Sequence, residues 1–103
     1  MRVRWLRTAK NNLEAAAEFI ARDDLEAAQK FYSYIRERAD HLANNPNMGR
    51  PGRVFGTREL VIGGYPYIIP YRLKDGEVQI LRVFHTSQKP PLSWGAKENN
   101  PAG

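Results

Sequence analysis

TRELVIGGYPYIIPYRLKDGEVQILRVFH, residues 57–85, is the stretch that decides the fold, because it predicts three consecutive β-strands. Its strand-forming runs are dense in β-branched and aromatic residues, and two turn-forming tetrapeptides separate them. In the second turn, Asp75-Gly76 indicates a tight hairpin, since glycine accepts the positive φ that a primed turn requires. Pro70 lies inside the middle run and cannot donate to a ladder, so we expect a bulge there or a proline nitrogen that faces away from its neighbour. The predicted strands are residues 57–62, 67–73 and 78–85.

A short strand and a first helix are predicted before this meander. Val3 and Trp5 alternate with arginines in a run that ends at Thr8, which we expect to cap the helix. Apolar residues then recur every three or four positions, an amphipathic pattern that continues to about Arg22. The residues of this stripe are Ala9, Leu13, Ala16 and Ile20.

A second helix is predicted directly after the first. Asp23 and Glu26 form a capping-box pair at its start. Pro46 disfavours helical geometry in the residue before it, so the helix is expected to end at residues 44–45. Two helices joined this tightly predict an antiparallel hairpin. The apolar stripe of the second helix is Ala28, Phe31, Ile35 and Leu42.

The order strand, helix, helix and three-strand meander predicts an α+β domain. The helical hairpin is expected to pack on one face of a mostly antiparallel four-stranded sheet and to leave the other face open. We assign residues 1–91 to this single domain. Residues 92–103 follow Pro90-Pro91, contain mainly small and polar residues, and are expected to form a disordered tail.

Composition limits the classes of site that the chain can hold. A chain of 103 residues with 42% apolar content predicts one domain with one core. It has no cysteine, and its two histidines, His41 and His85, are too far apart for a zinc pattern, so we expect neither a metal nor another cofactor. No run of eighteen apolar residues and no apolar signal segment occurs, which predicts a cytoplasmic protein without a membrane partner.

The positive charge is concentrated in the second half of the chain. Residues 1–49 carry eight basic and seven acidic side chains, a net +1, whereas residues 50–103 carry eight and four, a net +4. Arg50, Arg53 and Arg58 lie on a loop and strand start with Glu59 as the only carboxylate among them. Guanidinium groups keep their charge and present a planar fork of donors, so this cluster predicts contact with phosphate or another polyanion.

Three local motifs in this order resemble the RelE/ParE toxins of bacterial type II toxin–antitoxin modules, including plasmid-stabilisation modules. They are Gly49-Arg50-Pro51-Gly52-Arg53, then Thr57-Arg58-Glu59-Leu60-Val61 leading to Tyr67-Ile68-Ile69-Pro70-Tyr71-Arg72, and Ile80-Leu81-Arg82-Val83-Phe84-His85. The resemblance covers residues 2–91 and implies the β-α-α-β-β-β fold of microbial-RNase type. Because one fold hosts several activities, it leaves the target open.

The resemblance implies two mechanisms, and the arginines on the strands favour the first, RelE-like one, with the ParE-like one as the alternative. In the RelE-like mechanism the toxin is a ribosome-dependent endoribonuclease (mRNA interferase) that inhibits translation. Arg58, Arg82 and His85 then correspond to the catalytic residues, while Arg50, Arg53, Arg72 and Lys89 contact the RNA or its phosphates. In the ParE-like mechanism the toxin poisons DNA gyrase and cleaves nothing itself. A third hypothesis, from a different class, is a non-toxic basic module that binds nucleic acid.

Two features of the sequence bear on the nuclease hypothesis. Arg82 and His85 are three residues apart and would point to opposite faces of a regular strand, so their convergence requires a bulge or the end of the strand between them. The general base is also unidentified, with Glu59 the nearest acidic candidate. Among the aromatic residues, Tyr67 and Tyr71 are predicted to lie in the core, whereas Tyr65, in a turn, is a candidate for stacking on bases.

The resemblance also implies a protein partner. A toxin of this superfamily is held inactive by a cognate antitoxin that wraps the domain, and an acidic amphipathic segment would match the charge of this chain. Because the sequence contains no helix-turn-helix recognition element, DNA is expected to be bound only through the antitoxin.

Overall fold

A mixed six-stranded sheet lies at the centre of the structure, a computed structural model that describes residues 1–95. Its spatial order is β1-β5-β4-β3-β2, with β1 parallel to β5, the other pairs antiparallel, and β6 paired to β4 beyond the end of β5. The elements in chain order are β1 (Arg2–Trp5), α1 (Arg7–Ala21), α2 (Leu25–Asp40), a 3₁₀ turn (His41–Ala43), β2 (Arg50–Pro51), β3 (Arg58–Val61), β4 (Tyr67–Lys74), β5 (Glu77–Ile80) and β6 (Phe84–His85).

The α+β class and the helical hairpin on one sheet face are confirmed. Leu13 of α1 and Phe31 and Ile35 of α2 are buried against sheet residues such as Tyr71 and Ile80. The apolar stripe of each helix therefore faces the sheet, as the amphipathic pattern predicts, and its burial supplies the apolar area that drives packing. Both residues of the predicted tight turn have positive φ, 54° at Asp75 and 71° at Gly76, as a type I′ hairpin requires.

The number of strands differs from the predicted four. One addition is β2, which forms inside the predicted loop because Arg50 and Pro51 pair with Glu59 and Arg58 at the edge of the sheet. Proline is tolerated in this edge strand, where no further strand requires its missing N–H. The other difference is that the predicted last strand is divided into β5 and β6.

A β-bulge divides that strand. Tyr71 pairs with Ile80 on one side of the break and Ile68 pairs with Phe84 on the other, so two residues of β4 oppose three residues, 81–83. Pro70 lies in β4 opposite this bulge, and its carbonyl accepts the Leu81 N–H at 2.9 Å. The missing proline N–H thus falls where the ladder is already interrupted, which confirms a bulge at Pro70 but places the extra residue in the neighbouring segment.

The predicted helix boundaries need correction. Thr8 does not cap α1; the N-cap is Leu6, whose side chain has no acceptor and makes no capping bond, while its N–H continues the strand pairing to the Ile80 carbonyl at 3.1 Å. Asp24, not Asp23, caps α2, and its Oδ1 accepts the Ala27 N–H at 3.0 Å. The second helix ends at Asp40, and the 3₁₀ turn carries the chain to Ala43.

The second face of the sheet is partly covered, contrary to the prediction of an open face. Trp94 is only 3% exposed and packs with Leu6 and Leu81, and Val54 and Phe84 border this small cluster. The predicted domain limit at residue 91 therefore excluded a residue that packs on the sheet. The rest of the predicted tail, residues 96–103, lies outside the described residues. Neither helix within residues 1–95 has the length and hydropathy needed to cross a bilayer.

Candidate functional site

The basic loop between α2 and β3 is organised around one buried carboxylate. Glu59 is 1% exposed, and two guanidinium groups and a backbone N–H converge on it. Oε1 accepts from Arg50 Nη2 at 3.1 Å and from Arg53 Nη2 at 3.2 Å. Oε2 accepts from Arg53 Nε at 2.9 Å and from the Arg53 backbone N–H at 3.1 Å. Glu59 therefore holds the loop on the sheet.

The charge of Glu59 is stabilised despite its burial. Burial raises the pKa of this carboxyl, but the hydrogen bonds from the Arg53 side chain and backbone and from Arg50 more than offset burial, so the pKa lies below its ordinary value. Glu59 is thus an ionised structural partner and not a general base exposed to a substrate. Because it neutralises one of the two guanidinium groups, the trio carries a net charge of +1.

A second set of contacts fixes the start of the loop. The hydroxyl of Tyr71 donates to the Pro46 carbonyl at 2.7 Å and accepts the Gly49 N–H at 2.9 Å. A Cβ at Gly49 would lie 2.6 Å from the Tyr71 ring, so only glycine permits this approach. Arg58 donates from Nη1 to the Gly49 carbonyl at 2.8 Å and to the Asn47 carbonyl at 3.4 Å. Burial raises the pKa of the Tyr71 phenol, while the Gly49 bond and the Arg58 charge act against this rise.

Two adjoining depressions form a basic groove beside this loop. One, of about 310 Å³, is lined by Arg58, Arg72 and Leu73 among others, and the next, of about 450 Å³, by Arg72, Lys74 and Trp94 among others. No Asp or Glu is among the described residues that line either depression. Gln79 accepts from Arg72 Nε at 2.7 Å and so orients its guanidinium. We call this surface, defined by Arg58, Arg72, Leu73 and Lys74, the basic groove.

His85 lies away from the basic groove, at the opposite end of β4. It pairs with Tyr67, and the two rings meet edge to face with centroids 4.9 Å apart. Its Nδ1 accepts the Ser87 backbone N–H at 3.0 Å and lies 2.7 Å from the Ser87 hydroxyl. Because a backbone N–H can only donate, Nδ1 is the acceptor in the contact with the Ser87 N–H, and this side of the ring is occupied by Ser87.

The structure therefore does not bring the three predicted catalytic residues into one described pocket. Arg58 pairs with Tyr71 and His85 pairs with Tyr67, four residues apart along β4, which corresponds to roughly 13 Å at the rise of a β-strand. Arg82 lies in the bulge, where Nη1 donates to the Leu81 carbonyl at 2.9 Å. The catalytic roles of Arg58, Arg82 and His85 remain predictions.

The four predicted phosphate-binding residues lie in three different places on the structure. Arg50 and Arg53 share Glu59, and Arg72 joins Arg58 in the basic groove. Lys89 is exposed in the segment after β6 and is not among the described residues that line the groove. Their roles in binding RNA also remain predictions.

Sequence reasoning missed two aromatic residues and misjudged a third. Phe55 is fully exposed at the tip of the basic loop, and Trp94 is buried beside the groove. Tyr65, the predicted stacking residue, packs edge-on against Phe31 with ring centroids 5.1 Å apart. The exposure of Phe55 could have been predicted from its position between Arg53 and Gly56, because a segment so rich in turn residues lies at the surface.

Comparisons with known proteins agree on one family. A family described as "ParE toxin of type II toxin-antitoxin system, parDE" matches residues 3–90. A protein of Sinorhizobium fredii named as a candidate toxin, Y4kP, is 43% identical over 90 residues, which are 87% of this chain and 93% of that protein. Toxin RelE2 of Caulobacter vibrioides is 34% identical over 84 residues, 82% of this chain and 93% of that protein.

A solved structure extends this similarity to three dimensions. A chain of the chromosomal ParDE toxin–antitoxin system from P. aeruginosa superposes with a TM-score of 0.75 at 33% sequence identity. The match covers 82% of this chain and 95% of that one.

Proposed function

The chain belongs to the ParE toxin family, within the RelE/ParE superfamily of type II toxin–antitoxin modules, and from this membership we propose that it acts in the ParE-like manner, by poisoning DNA gyrase without cleaving a substrate itself. One observation supports the choice of mechanism: Arg58 and His85, which a metal-free nuclease would need around one phosphate, pair with residues of β4 that lie about 13 Å apart along the strand.

The chemistry of RNA cleavage explains why that distance matters. Attack of a ribose 2′-hydroxyl on the adjacent phosphorus needs a base, an acid and cations within hydrogen-bond reach of the same few atoms. Here Glu59 is held by two arginines, and Nδ1 of His85 is occupied by the Ser87 N–H. A poison that acts by surface complementarity needs no such convergence.

A second candidate is ribosome-dependent cleavage of mRNA. It is favoured by the 34% identity with the protein named Toxin RelE2 and by the pairing of Arg58 with Arg72 in the basic groove. In that case Arg58 and Arg82 would hold the scissile phosphate, and His85, as an imidazolium protonated on both ring nitrogens, would give one proton to the leaving oxygen and become neutral. The mRNA or the ribosome would then have to gather residues that are separate in the free chain.

Both candidates share a protein partner, the cognate antitoxin, which follows from membership of a toxin–antitoxin family. An acidic segment of the antitoxin would complement the net charge of +5. We propose further that DNA is reached only through the antitoxin when the two proteins are in complex.

Induced expression in a bacterial host separates the candidates. Pulse-labelling of DNA and protein synthesis is followed in time, and the purified chain is added to gyrase in supercoiling and DNA-cleavage assays. We expect an early loss of replication, filamentation and gyrase-dependent DNA breaks. The variant H85A should kill as the wild type does, as should the control H41A, which changes the only other histidine. Early loss of translation with transcripts cut at codons, abolished by H85A but not by H41A, would establish the nuclease instead.

A further inference from the structure

Phe55 is presented at the tip of a rigid turn. Its side chain is fully exposed, although phenylalanine is normally buried. On its N-terminal side, Val54 packs against the cluster of Leu6, Leu81 and Trp94. On its C-terminal side, Thr57 closes the turn, because its hydroxyl and its backbone N–H both donate to the Val54 carbonyl, at 2.7 and 3.2 Å. The backbone that carries the exposed ring is therefore anchored on both sides of Phe55.

The surroundings of this ring are cationic. Phe55 lines the larger depression of the basic groove together with Arg72 and Lys74, and Arg58 follows in the adjoining depression. Arg53, two residues before Phe55, is 42% exposed while it binds Glu59. Three of the described residues that line the groove are cationic and none is acidic, so the lining itself favours an anionic ligand.

We propose that Phe55 and the basic groove form a binding site for single-stranded nucleic acid. A base stacks on the Phe55 ring, and the phosphates that follow it lie along Lys74, Arg72 and Arg58. Stacking requires a protruding aromatic surface and is tolerant of sequence, because every base has a flat face. The repeated charges of the backbone match a row of three cations better than a ligand with a single negative group does.

The shape of the surface favours nucleic acid over an acidic peptide. A peptide-binding site normally receives the anchor residues of its partner in a pocket, whereas here the aromatic anchor projects outward. Each unstacked base offers a face for such a ring, while a peptide would have to supply a preformed pocket of its own. This inference goes beyond poisoning of gyrase, and under the second candidate function the same groove would hold the RNA.

Fluorescence anisotropy of the purified full-length chain with a labelled 20-nucleotide oligothymidylate tests the site. We expect F55A to weaken binding roughly 5- to 100-fold, the range for loss of one stacked base, and F55W to retain or improve it. The matched control is F19A, which removes another exposed phenylalanine, 69% exposed, from α1. It should bind as the wild type does, and circular dichroism should show all three variants folded.

Salt dependence tests the phosphate contacts independently. Three neutralised phosphates predict a slope of about −2 in a plot of log K against log salt concentration, and K74A should make it less steep by about 0.7. Equal binding by F55A, F19A and the wild type would overturn the proposal. Tighter, Phe55-dependent binding of a 20-residue polyglutamate would overturn it in favour of an acidic protein ligand. Loss of binding in F55A with unchanged gyrase poisoning would support this site and leave the proposed function standing.

Discussion

The replacement E59Q isolates the contribution of the buried carboxylate to stability. It keeps the shape of the side chain but removes its charge, and it turns one of the two acceptor oxygens into an amide donor that faces the N–H groups of Arg53 or Arg50. At least two hydrogen bonds to a charged acceptor are lost, each worth about 1.5–3 kcal/mol. The guanidinium groups are 54% and 42% exposed and can turn to water, so we expect a net loss of about 2–3 kcal/mol.

Urea unfolding followed by tryptophan fluorescence measures this loss, and calorimetry should show the midpoint lowered by roughly 10–20 °C for a domain of this size. The control E26Q removes a carboxylate that is 77% exposed and pairs with Lys30 one turn along α2. It should change the free energy of unfolding by no more than about 0.5 kcal/mol.

The pH dependence identifies the cause. Because the pKa of Glu59 is lower in the folded chain than its ordinary 4.5, its stabilisation is fully present above pH 4.5 and is lost as the pH falls through the folded-state pKa. The difference between wild type and E59Q should therefore be constant near neutral pH and shrink below pH 4.5. A difference that persists unchanged in acid, or an E59Q variant as stable as the wild type at pH 7, would refute the assignment of an ionised, hydrogen-bonded Glu59.

Three further replacements test other contacts by the same unfolding measurement. Y71F removes the hydroxyl that binds Pro46 and Gly49 and should cost about 1–3 kcal/mol, whereas Y34F, on a ring packed beside the core, should cost less. W94A should cost about 3 kcal/mol if Trp94 closes the second cluster, and a wild-type stability would contradict that packing. N12A leaves the Val83 N–H at the bulge without its 3.2 Å acceptor and should cost about 1–2 kcal/mol, while N11A, exposed on the same helix, should be neutral.

Local patterns were sufficient for both helices, the meander and their order, but not for β2 or for the break between β5 and β6. The stripes through Leu13 and Ile35 predicted two helices and the faces they bury, and Asp75-Gly76 predicted the turn between β4 and β5. These features depend on residues a few positions apart, which periodicity and turn chemistry report directly. The family resemblance likewise rested on short motifs, and the comparisons confirm it.

The candidate site was predicted only in part. The cluster of arginines was visible in the sequence, but Glu59 was considered as a base, whereas it is the buried partner of Arg50 and Arg53. The fully exposed side chain of Phe55 also escaped prediction, because exposure depends on what the rest of the chain leaves uncovered.

By itself, the sequence determined the α+β class, the helical hairpin, the meander, the basic second half and the superfamily. Only the tertiary structure decided the position of the bulge at residues 81–83, the burial of Trp94 and the separation of His85 from Arg58. The physical reason is that these features are set by pairs of residues remote along the chain. The Val83 N–H and Asn12 are 71 positions apart, and Tyr71 and Pro46 are 25. No local periodicity encodes such pairs, and the strand register that they fix determines which side chains share a face.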